Sequence, residues 1–107
     1  MGEKASVLLV VVLVLSCFAC TSCITGTILN RTLLQLGPGA GQTVLTTLLP
    51  SDIVDVSCRT QDALVYDDPW WLKVTYTPPN GSTTTGWVAD YYVDCGNVGN
   101  CNVTQCS

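Results

Sequence analysis

Apolar and polar positions divide the chain into a short apolar head and a long stretch with the two-residue period of β-structure. Val7 to Leu15 are all Val or Leu. A bilayer span needs roughly 20 apolar residues, whereas the apolar stretch of a secretion signal needs about 7–15. The shorter class fits, so a signal peptide is expected over residues 1–19. Its positive region is thin, with Lys4 and the amino terminus set against Glu3. Cleavage is expected after Ala19, and a cut after Ser22 is the alternative.

Beyond the head, no segment carries helical periodicity with a cap at both ends. Thr, Val and Tyr are frequent, and turn residues recur at short intervals, which is the signature of short strands. Thr25–Asn30 reads as a first strand. Gly37-Pro38-Gly39-Ala40-Gly41 reads as a turn, because glycine tolerates φ > 0 and proline fixes φ. Thr43–Leu49 follows and stops at Pro50-Ser51-Asp52. Ile53–Cys58 alternates, with Val54, Val56 and Cys58 on one face and Asp55 and Ser57 on the other. Arg59–Pro69 reads as a polar, acidic loop. Trp70–Thr77 is the longest candidate, with Trp70, Leu72, Val74 and Tyr76 facing one side and Trp71, Lys73 and Thr75 the other. Pro78-Pro79-Asn80-Gly81 is a hairpin turn, Thr83–Val88 the return strand, and Asp90–Asp94 the closing strand. Gly96–Ser107 has no apolar pattern, and its order is expected to depend on Cys101 and Cys106. These elements predict an all-β fold, a small barrel or sandwich of about five short antiparallel strands stapled by disulfides; a barrel suits the size because closure removes exposed edges. Residues 20–95 form the barrel and 96–107 a Cys-containing tail.

Composition narrows the chemistry. The 107 residues include four Lys or Arg, eight Asp or Glu, seven Cys and no His, for a net charge of −4. Without histidine the chain lacks the commonest general base, the Ser-His and Cys-His nucleophile pairs and most catalytic zinc sites. The acidic balance argues against a basic patch for DNA, RNA or anionic lipid, so no nucleic acid and no membrane partner is expected after signal removal.

Cleavage after Ala19 removes Cys17 and leaves Cys20, Cys23, Cys58, Cys95, Cys101 and Cys106, an even set for an oxidising compartment. One bridge is expected between Cys58 and Cys95, which end strand-like runs; the others would tie the Cys20/Cys23 end to Cys101 and Cys106. Each bridge contributes about 2–4 kcal/mol, comparable to the whole core of a chain this small. Val14-Leu15-Ser16-Cys17 also loosely matches the lipidation motif of bacterial lipoproteins, which would leave a lipid anchor on Cys17. Cys17, Cys20 and Cys23 straddle the cleavage region, so no metal or other cofactor is expected there. Asn30, Asn80 and Asn102 head N-x-S/T sequons, candidate glycosylation sites of a secreted glycoprotein.

The order of motifs resembles a known family. A Gly37-Pro38-Gly39 loop precedes Val44-Leu45-Thr46-Thr47-Leu48, a Val-x-Val strand ends in Cys58, and Trp71-Leu72-Lys73-Val74 leads to Gly86-Trp87-Val88-Ala89-Asp90-Tyr91-Tyr92-Val93. Over residues 25–95 this is similar to the bacterial-type Src-homology-3 domain of exported wall proteins. Gln35-Leu36 stand where that family has Arg-Ser, and Asp52 where it has Gly. The eukaryotic Src-homology-3 domain is less similar, since its Ala-Leu-Tyr-Asp-Tyr signature is absent. The resemblance implies an SH3-like barrel acting as a secreted, non-catalytic binding module for peptidoglycan or wall peptides. The alternative is a secreted interaction or effector protein that uses the barrel to bind another secreted protein.

Trp71 is expected to face outward as a stacking platform, with Tyr92 and Tyr66 flanking the same groove. Asp67 and Asp68, with Asp62, are expected to steer positive groups; otherwise they solvate a loop. Trp87 is expected in the core. Asp52 and Asp55 lack the alternation of a calcium loop. The chain is too small for the deep cleft of a glycosidase, so no enzymatic activity is expected.

Overall fold

The computed structural model describes residues 23–96 and 101–107. The expected signal peptide, its cleavage sites, Cys17 and Cys20 lie outside the described residues. The fold is all-β, a single antiparallel sheet curled into a half-barrel. It comprises β1 (Ile24–Ile28), β2 (Thr32–Gln35), β3 (Val44–Leu48), β4 (Ile53–Val65), β5 (Asp68–Tyr76), β6 (Thr84–Ala89), a 3-10 turn (Asp90–Tyr92) and β7 (Val93–Asp94). The spatial order is β3-β2-β6-β5-β4-β1-β7.

Seven strands replace the five expected, and β3 and β7 remain edges rather than closing a barrel. One of the added strands is β2, a Thr-Leu-Leu-Gln segment that bridges β3 to β6. The other departure is at Arg59–Pro69. The expected loop is mostly ladder: β4 runs on to Val65, pairs with Asp68 of β5, and leaves only Tyr66 and Asp67 as a two-residue turn. Both have positive φ, 49° and 68°. That is the conformation of a type I′ hairpin turn, normally supplied by Asn-Gly or Asp-Gly. Of the expected closing strand Asp90–Asp94, only Val93–Asp94 is a strand, paired with β1; Asp90–Tyr92 is a 3-10 turn that carries the chain there from the end of β6.

The core lies on one face of the curl. Ile28, Leu34, Leu48, Val54, Val56, Leu72, Val74, Val88 and Val93 are buried there with Cys101 and Val103. Val54 and Val56 alternate with exposed Asp55 as expected. A bulge between Val56 and Cys58 then shifts the register, so Cys58 opposes Lys73 and leaves the Val54/Val56 face. Gly86 belongs to the most distinctive motif. A Cβ there would sit 2.6 Å from the Gln35 carbonyl oxygen, so glycine lets β2 approach β6.

Disulfide pairing differs from expectation. Cys58 bonds Cys106 and Cys95 bonds Cys101, while Cys23 is also disulfide-bonded. The tail is therefore sewn to β4 and to the end of β7. A parallel bridge joins Arg59 to Gln105, and backbone bonds run from Arg59 N to Thr104 O (3.0 Å) and from Cys106 N to Arg59 O (2.8 Å). Cys58 could not serve Cys95 because the bulge turns it toward the tail side of the sheet. Both tail cysteines are bonded, and Val103 between them is buried in the core.

The Cys58–Cys106 bridge closes a loop with sequence separation 48, the Cys95–Cys101 bridge one of 6. Loop entropy then assigns the two about 4 and about 2.4 kcal/mol. Denaturant melts of the C58A/C106A and C95A/C101A double variants are expected to rank in that order. The first is also expected to remove hydrogen-exchange protection from the Val103 and Cys106 amides.

Candidate functional site: an aromatic groove behind the core

Trp71 decides where the site lies. Strand alternation puts it on the face opposite Leu72 and Val74, as the sequence predicts. It is not an exposed platform, however, for only 5% of it is accessible. The far end of the β4–β5 hairpin curls over it, and the indole Nε1–H donates to the Ala63 carbonyl at 2.9 Å. Trp71 therefore forms the floor of a groove rather than a free surface. Trp70, expected in the core, is half-buried, with the Arg59 guanidinium 4.0 Å from its ring centroid. Trp87, also expected in the core, is half-buried on β6, opposite Lys73 and Gln35.

The groove has a volume of about 270 Å³. Trp71, Ala89 and Tyr92 line one side, Val65 the hairpin side, and Arg31, Thr32, Leu33 and Gln35 the β2 side. Strand β2, unread in the sequence, supplies Thr32, Leu33 and Gln35, and Arg31 precedes it. Gln35 is buried; its side-chain amide N–H groups donate to the carbonyls of Gly39 (2.8 Å) and Gly37 (3.4 Å). The Gly-Pro-Gly loop is thus anchored to the groove wall through Gln35.

Tyr92 lines the groove; Tyr66, expected to flank it too, is not among its lining residues and stands at the hairpin tip, 75% accessible. The residue sequence reasoning missed is Tyr91. Its ring lies 4.8 Å from that of Tyr66 and meets Tyr92 edge-on at 5.3 Å. These contacts join the hairpin tip to the 3-10 turn in one aromatic run, each pair contributing about 0.5–1.5 kcal/mol beyond area burial. The signal for Tyr91 was its place in the Tyr91-Tyr92 doublet. Strand alternation would have sent the two rings to opposite faces; a 3-10 turn does not.

The acidic residues are divided by the structure. Asp67 is exposed at the turn, and Asp62 accepts a hydrogen bond from the Ala63 amide. Asp68 turns inward, where its carboxylate accepts from Trp70 N at 2.9 Å and meets Asp90. Asp90, 5% accessible, accepts from the Cys101 amide at 3.3 Å. Burial pushes its pKa from 3.8 up to about 7, helped by the hydrogen bond and negative charge of Asp68; the Cys101 N–H and Arg59 pull the other way. This carboxyl pair joins β5, the 3-10 turn and the tail directly beneath the tyrosines.

The sequons Asn30, Asn80 and Asn102 are all exposed. Among the described residues no cluster of three or more His, Cys, Asp or Glu could hold a metal ion, and no helix is long and apolar enough to cross a membrane. The disulfides fit an oxidising compartment. No known protein family, curated protein or solved structure matches the chain.

Asp90 makes stability pH-dependent with a definite sign. The fold binds its proton more tightly than the unfolded chain does, so stability falls as pH rises from about 4 to about 7 and is level above that. Asn at this position keeps the bond from Cys101 and can donate to Asp68 without a charge. In thermal melts across pH 4.5–8, Asp90→Asn is expected to raise the Tm at pH 8, leave it near the parent value at pH 4.5, and flatten the slope between.

Proposed function

We propose that this protein is a secreted, non-catalytic binding module that recognises cell-wall peptidoglycan or its peptides through the groove over Trp71. The observation that carries the reading is the groove itself. It has an indole floor, Tyr92 in its lining with Tyr91 and Tyr66 continuing the aromatic run beyond it, and apolar walls from Leu33 and Val65. Rigid aromatic side chains offer contact area to a sugar ring or a peptide at small entropic cost.

A second reading has one observation in its favour. Residues 32–51 contain no charged side chain, and β3 within them is a sheet edge. Unguarded edges pair readily with other chains, which suits a secreted interaction or effector protein whose half-barrel is a scaffold.

The test is retention of the oxidised protein on purified peptidoglycan sacculi, with chitin and cellulose in parallel. Trp71→Ala is a poor control, because removing a buried indole costs about 3–5 kcal/mol of stability. Tyr91→Ala and Tyr92→Ala remove accessible rings instead. Retention on peptidoglycan alone, reduced at least about fivefold by Tyr92→Ala, is expected, since stacking on one ring is worth about 1–3 kcal/mol. Absence of retention on every polymer would overturn the wall-binding reading in favour of the scaffold reading.

A further inference from the structure

The electrostatics of the groove run opposite to the expectation of an acidic cradle. Among the described residues no Asp or Glu lines it. Asp68 is engaged by Trp70 N and Asp90, and Asp67 lies at the turn beyond the groove wall. The one charged side chain lining it is Arg31, which follows Asn30 in the connection from β1 to β2. Arg31 is exposed and its guanidinium has no hydrogen-bond or ion-pair partner among the described residues. The other described cations are placed differently: Arg59 lies over Trp70 and donates to Asn102, and Lys73 does not line the groove. In a chain of net charge −4, an unpaired arginine at the end of an aromatic groove is the feature that selects a ligand.

Gln35 adds a second polar group. Two backbone carbonyls take its amide N–H groups, which fixes the orientation of the amide and leaves Oε1 with no hydrogen bond inside the protein. The groove thus presents a guanidinium donor fork, one amide oxygen acceptor, and apolar surface from Leu33, Val65 and Trp71. We infer that it receives the free carboxylate end of a peptide whose last side chain is apolar. Arg31 binds the carboxylate, Gln35 Oε1 accepts the terminal amide N–H, and the last side chain lies against Trp71. Guanidinium and carboxylate match as a bidentate pair, and the charge makes each hydrogen bond roughly twice as strong as a neutral one. A groove of this volume lies just under the roughly 300–1,000 Å³ of sites for drug-sized ligands, which suits a chain end rather than a polymer segment. The inference rests on the groove being the binding site.

The probe is N-acetyl-Ala-Ala-Leu as the free acid, compared with the same peptide as its C-terminal amide. Both are titrated into the oxidised, isotope-labelled protein and followed by NMR. The acid is expected to shift the Trp71 indole and Gln35 side-chain amide signals, and to bind at least about tenfold more tightly than the amide, as a charge-assisted pair predicts. Arg31→Gln is expected to abolish that preference while leaving the remaining amide signals in place, since the side chain is exposed and unpaired. Equal binding of acid and amide, a preference that survives Arg31→Gln, or no shift at the groove would each overturn the inference. Peptidoglycan retention sensitive to Tyr92→Ala alongside equal acid and amide binding would leave the groove reading standing and sink only the carboxylate. An Arg31-dependent preference without retention on sacculi would leave the groove and the carboxylate standing and sink the wall polymer as the ligand.

Discussion

One hydrogen bond organises the groove side of this molecule: the Trp71 indole N–H to the carbonyl of Ala63. A long two-stranded hairpin reaching beyond its neighbours has no core of its own, and free hairpins are marginal in water. Here the far half of β4 bends back over its partner strand and closes on Trp71. The bend buries an indole on the face away from the core and raises Val65 as a wall. It also brings Tyr66 to Tyr91. The turn that permits it places two non-glycine residues at positive φ, which costs roughly 1–2 kcal/mol each. The indole contact and the tyrosine stack are the interactions that offset this cost.

On the other face, covalent links substitute for size. A chain this short buries too little apolar surface to be robust. Cys58–Cys106 and Cys95–Cys101 fasten the tail so that Cys101 and Val103 complete a core the sheet alone leaves open. The Asp68–Asp90 pair, capped by the Cys101 amide, ties that tail to the hairpin and the 3-10 turn. The two faces are therefore coupled through a few residues: the groove's aromatic flank stands on the same turn that the tail holds down.

Much of this was legible in the residues, and the limits have physical causes. All-β character, the strands at Val44–Leu48 and Ile53–Val56, the hairpin turn at Pro78–Gly81 and the core roles of Leu72 and Val74 followed from alternation and turn chemistry, whereas on β6 the core position is Val88 and not the expected Trp87. Trp71 does point to the face opposite Leu72 and Val74, but alternation reports direction and not cover, and the cover came from the far end of a hairpin whose turn carries no Asn-Gly or Asp-Gly. The bulge after Val56 redirected Cys58, and with it the disulfide pairing, since one inserted residue reverses every side chain that follows. Strand β2 is too short to show a period, and Arg31 beside it looked like an ordinary polar turn residue. The tail hid its core residue, Val103, because its place depends on covalent links and not on pattern.

The most direct test of this account is solvent exchange of the three tryptophan indole protons in the oxidised protein, assigned with Trp70→Phe and Trp87→Phe variants. Bonded to Ala63 and nearly inaccessible, the Trp71 Nε1–H is predicted to exchange far more slowly than those of Trp70 and Trp87. Exchange of Trp71 at the rate of the other two would mean that the hairpin does not close over it, and the groove on which the functional reading rests would not exist.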